Sequence, residues 1–214
     1  MAMKKTNLIL CIFIALVVLG QLFMICFQPY FLMEETMEEF SVKEADAGKV
    51  PYPHEISLFE MVWLKFHDDA AVVGAEYGGW GDNLTTMLDE IGQYKDENGE
   101  DKYPSAAAGF EAESNYYVMG VVGATVLGLV VVIMTLFTQK SITGYCFSLA
   151  WAGVSLWGFF NDNPLIQKLG MPYAYGTVLP TLQLLTIIGA VLVLARAVPC
   201  MIVRFRKEKI VLPL

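Results

Sequence analysis

His54, His67, Asp68 and Asp69 bring together the sequence's two imidazoles and a pair of adjacent carboxylates, types that could hold a metal ion or move a proton. An imidazole beside carboxylates suits both tasks, because its neutral ring nitrogen ligates metals and the group titrates near neutral pH. Their spacing argues otherwise. Consecutive residues on a helix point apart, so His67, Asp68 and Asp69 form no ready chelate, and His54 reaches them only through tertiary folding. The expectation is a polar helix end, with His67 complementing the helix dipole, and no metal or catalytic site. Asp96, Asn98 and Glu100 in DENGED imitate part of a calcium loop, but the twelfth position counted from Asp96 is Ala107, where a bidentate Glu is required. That segment reads as a solvated turn. The sequence holds no nucleotide-binding glycine loop, nucleophile motif, zinc-ligand spacing or Cys-x-x-Cys. The expected protein is therefore non-enzymatic and without a cofactor.

These residues lie in an acidic segment flanked by apolar runs. Of 214 residues, 56% are hydrophobic and only 17% charged, with a mean hydropathy of +0.51; soluble domains are about a quarter charged. The apolar residues gather in four runs, 7–27, 116–137, 142–160 and 177–198. Each has about 20 residues, enough at about 1.5 Å per residue to cross a hydrocarbon core of about 30 Å. Arg196 is the one charge within them, near an end from which its stem can snorkel to the surface. The first run is longer than a signal-peptide core, and no small-residue cleavage site follows it, so it is expected to remain as a span. The expected fold class is an all-α membrane protein: a four-transmembrane-helix bundle with a mostly helical, acidic extracytoplasmic segment between helices 1 and 2.

Charge sets the expected orientation. Lys4, Lys5, Lys140, Arg204, Arg206, Lys207 and Lys209 fall on one side of the four runs, which the positive-inside rule assigns to the cytoplasm. Residues 1–28 are then a cytoplasmic N-terminus and first span, 29–115 an outer cap, 116–198 the other three spans, and 199–214 a basic cytoplasmic tail. The cap holds 20 of the 22 acids and 5 of the 14 bases, so its net charge is 5 − 20 = −15. Such a surface excludes nucleic acid as a partner. Cys11, Cys26, Cys146 and Cys200 all lie outside the cap. An outer segment without disulfides fits a bacterial plasma membrane better than a eukaryotic surface. Asn83-Leu84-Thr85 is a glycosylation sequon, relevant only in a host that glycosylates. Four spans with a large first outer segment resemble the claudin-like layout in topology. The Trp-Gly-Leu-Trp stretch and cysteine pair of that family have no counterpart, the nearest text being Glu-Tyr-Gly-Gly-Trp at 76–80.

Within the cap, Ser57-x-x-Glu60 is a capping-box pattern. Behind it Ile56, Phe59, Val62, Trp63 and Phe66 recur at helical spacing, which predicts an amphipathic helix near 56–68 that packs this stripe on a second helix and the bundle's outer mouth, the alternative being that it lies in the outer membrane interface. A second short helix is expected near 84–91, with Leu84, Met87, Leu88 and Ile91 on one face. In the membrane, Gly120, Ala124 and Gly128 repeat small residues at a spacing that permits close helix approach. Gln21, Ser155 and Gln183 lie at similar depth below the outer boundary and are expected to form a polar layer between helices. No intramembrane Asp, Glu, Lys or His marks an ion path. The expected function is that of an accessory or scaffold subunit presenting its acidic cap to a protein partner, with lipid around it and another membrane protein or a second copy as neighbour. The alternatives are an oligomeric transporter or channel component and an extracytoplasmic sensor.

Overall fold

In the computed structural model the described residues are 2–32, 55–66, 85, 88, 89, 92, 94–137, 142–167 and 177–211. Their elements, in chain order, are α1 (Ala2–Phe27), β1 (Pro29–Leu32), β2 (Glu55–Ser57), α2 (Leu58–Phe66), α3 (Ala106–Phe137), α4 (Ile142–Phe160), α5 (Pro164–Gln167) and α6 (Val178–Val211). The protein is mostly helical. Three helices contain stretches long and apolar enough to cross a membrane: Asn7–Phe27, Ala106–Phe137 and Val178–Val198. The 19-residue α4 intersperses Tyr, Trp, Ser and Gly among its apolar residues. It packs between α3 and α6, while α1 packs against both α3 and α6. The four long helices thus close a ring in which each touches its two neighbours.

Each helix turns a seam of alternating three- and four-residue steps toward the ring. On α1 the buried positions include Cys11, Ile14, Val18, Gln21 and Ile25; on α3 they include Tyr117, Val121, Ala124, Gly128, Val131 and Thr135. On α4 they include Tyr145, Ser148, Ala152, Ser155 and Phe159, and on α6 Leu182, Thr186, Gly189, Val193 and Arg196. A repeat of 3.5 residues keeps a seam facing its partner as the helices wind gently round one another. The opposite faces are also apolar: Ile9, Phe13 and Leu16 of α1, Met119, Leu129 and Ile133 of α3, and Leu184, Val191 and Leu194 of α6 are all exposed. A helix apolar on every side must be surrounded by protein or lipid.

Helix ends run beyond the apolar limits read from sequence. The third helix begins at Ala106, ahead of residue 116, because Ala and Glu in 106–115 sustain a helix as well as Val or Leu do. The last continues to Val211 through the basic tail. Hydropathy marks where lipid ends, whereas propensity decides where a helix ends.

The cap is built around a two-stranded antiparallel sheet, so it is less purely helical than expected. Pro29 pairs with Ser57, Phe31 with Ile56 and Leu32 with Glu55, with an irregularity between Pro29 and Phe31. Ile56 therefore belongs to a strand, and the helix near 56–68 is the shorter α2, starting at Leu58. Its capping box forms as the pattern requires: the Ser57 amide donates to Glu60 Oε2 at 2.7 Å, and the Glu60 amide donates to Ser57 Oγ at 3.2 Å.

The expected buried stripe needs correction. Leu58, Met61 and Val62 are buried, whereas Phe59, Trp63 and Phe66 are 37%, 59% and 65% exposed. The helix lies on the C-terminal end of α1 and the N-terminal end of α3 with its Leu58–Met61–Val62–Lys65 side. Lys65 Nζ donates to Ser114 Oγ at 2.7 Å and Asn115 Oδ1 at 2.8 Å and pairs with Glu111 at 3.8 Å. Two hydrogen bonds and an ion pair to α3 fix which side of α2 faces the bundle, and the aromatic side is turned away. Of the second expected helix, only Thr85, Leu88 and Asp89 are described; Leu88 is fully buried with the cap's core.

Candidate functional site

The central polar feature is a hub on Gln21, a residue of α1 with no exposed surface. Its Oε1 accepts a hydrogen bond from Trp151 Nε1 at 2.9 Å and a long one from Ser155 Oγ at 3.5 Å. Its Nε2 donates to Thr186 Oγ1 at 2.8 Å, and Thr186 donates onward to the Leu182 carbonyl at 2.7 Å. An indole nitrogen can only donate, so the Trp151 contact fixes which end of the amide is oxygen. Of the expected polar layer, Gln21 and Ser155 meet and Gln183 does not. Gln183 sits one position off the α6 seam and donates to the Phe159 carbonyl at 2.9 Å, which also accepts from Gln167 Nε2 at 2.9 Å. Those two amides satisfy a carbonyl that the end of α4 leaves without a helical partner. Equal depth was legible from residue counting, but facing required the seam.

Trp151 and Thr186 are hub members that depth alone did not select. Trp151 is completely buried and touches all three other long helices: Gln21 on α1, Gly128 on α3 and Gly189 on α6. A methyl group on Gly189 would collide with the Trp151 six-membered ring, and one on Gly128 would lie 3.5 Å from its Nε1. Two glycines thus make room for one tryptophan at the middle of the ring. Gly120, Ala124 and Gly128 are all buried on α3, Ala124 and Gly128 on its seam and Gly120 beside it. Gly120 faces Gly158 of α4 so closely that an added Cβ would lie 3.1 Å from the Gly158 Cα.

A second polar collar joins cap to bundle. Glu113 of α3 is 4% exposed. Its Oε1 accepts from Lys102 Nζ at 2.7 Å and from the Tyr103 hydroxyl, and its Oε2 accepts from Asn163 Nδ2 at 3.1 Å. Asn163 Nδ2 also reaches the Glu113 carbonyl at 2.7 Å, while its Oδ1 accepts the Leu165 amide at 3.0 Å, capping α5 ahead of Pro164. A buried carboxylate is tolerable when a cation and several donors surround it. The Glu113 bond holds Lys102 protonated above its ordinary range. Burial pushes the Tyr103 phenol up, with the Glu113 bond adding to it. Tyr94, stacked edge-on against Tyr103 at 6.0 Å, is likewise pushed up by burial and then by Glu113. Its hydroxyl has no hydrogen-bond partner among the described residues. Two further tyrosines pin the cap: Tyr30 of β1 donates to the Ile166 carbonyl, and Tyr117 donates to the Leu58 carbonyl.

At the other end of the bundle Arg196 does not snorkel. It is 2% exposed, with Nε donating to Asn7 Oδ1 at 3.3 Å and the guanidinium 4.7 Å from the Tyr145 ring centre. Its place in the series Leu182, Thr186, Gly189, Val193, Arg196 carries the signal that points it inward. An aromatic face and an amide oxygen receive the cation there.

Among the weak metal candidates, His54, His67 and Asp68 lie outside the described residues. Among the described residues no cluster of His, Cys, Asp or Glu could hold a metal ion. DENGED is a closed turn. Asp96 Oδ1 accepts the Asn98 and Glu100 amides at 2.8 and 2.9 Å, and Gly99 takes a φ of 80°. Those amides, that of Glu100 foremost, hold the Asp96 carboxyl below its ordinary value. Compared with protein-family models, curated proteins and solved structures, the chain matches none of them.

Proposed function

We propose that this chain is a non-enzymatic four-span membrane protein of a bacterial plasma membrane. In this reading both termini are cytoplasmic, and it serves as an accessory or scaffold subunit whose acidic outer cap engages a protein partner. The observation that carries the reading is the filled bundle. Trp151 occupies the centre of the ring and Gln21 satisfies its indole, so the interior supports a rigid post rather than a conduit. The seam positions of Gln21 and Ser155 weigh against an oligomeric pore lined by them, since both face the chain's own interior. The packing of α4 within the ring supports a fourth crossing.

The cap's surface supports an electropositive partner. Its described lysines, Lys65, Lys95 and Lys102, each pair with a carboxylate, at 3.8, 3.2 and 2.7 Å. Glu60, Asp89, Glu97 and Glu100 remain exposed. Fixed negative charge on a cap pinned by Tyr30, Tyr117 and Asn163 steers association and orients the bound protein.

Two measurements test the proposal. In a background lacking the native cysteines, an impermeant thiol reagent should label Asp89→Cys in intact cells and Lys207→Cys only after lysis; the reverse pattern rejects the orientation. Gentle solubilisation followed by crosslinking should recover a defined protein partner, lost when Glu97 and Glu100 are changed to Lys. A monodisperse monomer without partners rejects the subunit role.

A further inference from the structure

The aromatic side of α2 adjoins a stretch of α3 that presents an exposed ring of its own. Phe59, Trp63 and Phe66 recur at four- and three-residue steps, so they form one ridge. The other side of α2 is fastened to residues 111–117 of α3: Lys65 to Ser114, Asn115 and Glu111, and the Leu58 carbonyl to Tyr117. Tyr116 of that same stretch is 48% exposed and stacks edge-on against Trp157 of α4 at 6.2 Å. Phe160 ends α4 three residues beyond Trp157, and Phe23 and Phe27, with ring centres 5.7 Å apart, are exposed on the last turns of α1. The ridge therefore continues a girdle formed by the outer ends of α1, α3 and α4.

We infer that α2 is an interfacial anchor, with Phe59, Trp63 and Phe66 inserted among the headgroups and upper acyl chains of the outer leaflet. Bulky rings with one polar edge favour that layer, where the ring body leaves water and an indole N–H still finds an acceptor. The helix carries one acid, Glu60, and one base, Lys65, and that base is bound to α3. Nothing on α2 is left to attract anionic headgroups, so the lipid it fits is zwitterionic and its grip is apolar. Anchoring here holds the cap at a fixed height and leaves the carboxylates, not the aromatic ridge, to face a partner. The inference rests on the membrane reading above but not on the existence of that partner.

The full-length protein in phosphatidylcholine nanodiscs tests it, using lipids brominated near the headgroup end of the acyl chain as contact quenchers of tryptophan. Trp157, on a spanning helix at the same level, is the internal reference. Bromine-dependent quenching should fall in Trp63→Phe and separately in Trp157→Phe, and the Trp63 part should be unchanged when anionic lipid is added. Loss in Trp157→Phe with none in Trp63→Phe overturns the anchor while leaving the membrane reading intact; the ridge would then belong to a protein or a second copy. No loss in either variant overturns both. A Trp63 contribution that appears only with anionic lipid overturns the apolar grip.

Discussion

The Gln21 hub and the Glu113 collar each join helices through a buried polar group, but they respond to different perturbations. Replacing Trp151 with Phe keeps most of the ring volume and removes the indole donor, leaving Gln21 Oε1 with only the 3.5 Å contact from Ser155. An interhelical bond of this kind is worth about 0.6–2 kcal/mol, so Trp151→Phe should lower unfolding stability in detergent by about that much. Trp151→Ala also opens a cavity and should cost about 3–5 kcal/mol. Equal losses would mean that the hydrogen bond accounts for the whole effect and that filling the volume contributes nothing. The collar answers to pH, and on the alkaline side. Tyr94 and Tyr103 are raised above 10.0 and Lys102 above 10.5. A group whose folded value is raised contributes stability that is complete below its unfolded value and lost as pH rises through the folded one. The collar should therefore stay intact through neutral pH and loosen only above about 10. Asp96, lowered from 3.8, has the opposite sign: its turn is supported above that value and released as pH falls through the folded one. Ultraviolet titration checks the tyrosines. Tyr94→Phe should leave the phenolate absorbance at pH 10 unchanged, and a fall there would show Tyr94 ionising as an ordinary surface phenol.

At the scale of elements, what could be read in advance was whatever a local pattern determines. Ser57 and Glu60 are three residues apart and fixed the start of α2 through their own backbone bonds. Removing the hydroxyl in Ser57→Ala should cost about 1 kcal/mol, which hydrogen exchange would read as roughly fivefold faster opening of the α2 amides. Unchanged exchange would show that the strand pairing of Ser57 with Pro29, not the cap, sets that boundary. The sheet itself was not legible. Pro29–Leu32 and Glu55–Ser57 are short and distant in sequence, so neither shows a period-two pattern long enough to recognise. The buried side of α2 was misjudged for a related reason. Helical spacing groups Phe59, Trp63 and Phe66 on one face, but apolarity is equally consistent with protein and with lipid as the medium that covers it. The deciding contacts, Lys65 with Ser114 and Asn115, come from residues about fifty positions away.

For the molecule as a whole, helix count and composition pointed to an apolar bundle, and the seams explain how its members are arranged. Gln21, Ser155 and Arg196 fall on those seams, while Gln183 falls beside one, so a single rule sorts the polar residues that depth had grouped together and the charge that depth had set aside. The rule also says where the ring is most sensitive. Trp151 reaches α6 only because Gly189 has no side chain, so the two positions share one volume. Gly189→Leu should force α6 outward and destabilise the bundle by about 1–3 kcal/mol, the usual cost of overpacking. Trp151→Ala empties the same space from the other side. If the ring closes around this one contact, the double variant fills its own cavity and should be more stable than the sum of the two losses by about 0.5–3 kcal/mol, the range for residues in direct contact. Reversible unfolding of the four proteins in one detergent supplies the cycle. Strict additivity would mean that α6 is held by its other neighbours, Asn7 with Arg196 and Phe159 with Gln183, and that the tryptophan fills the centre without fastening it.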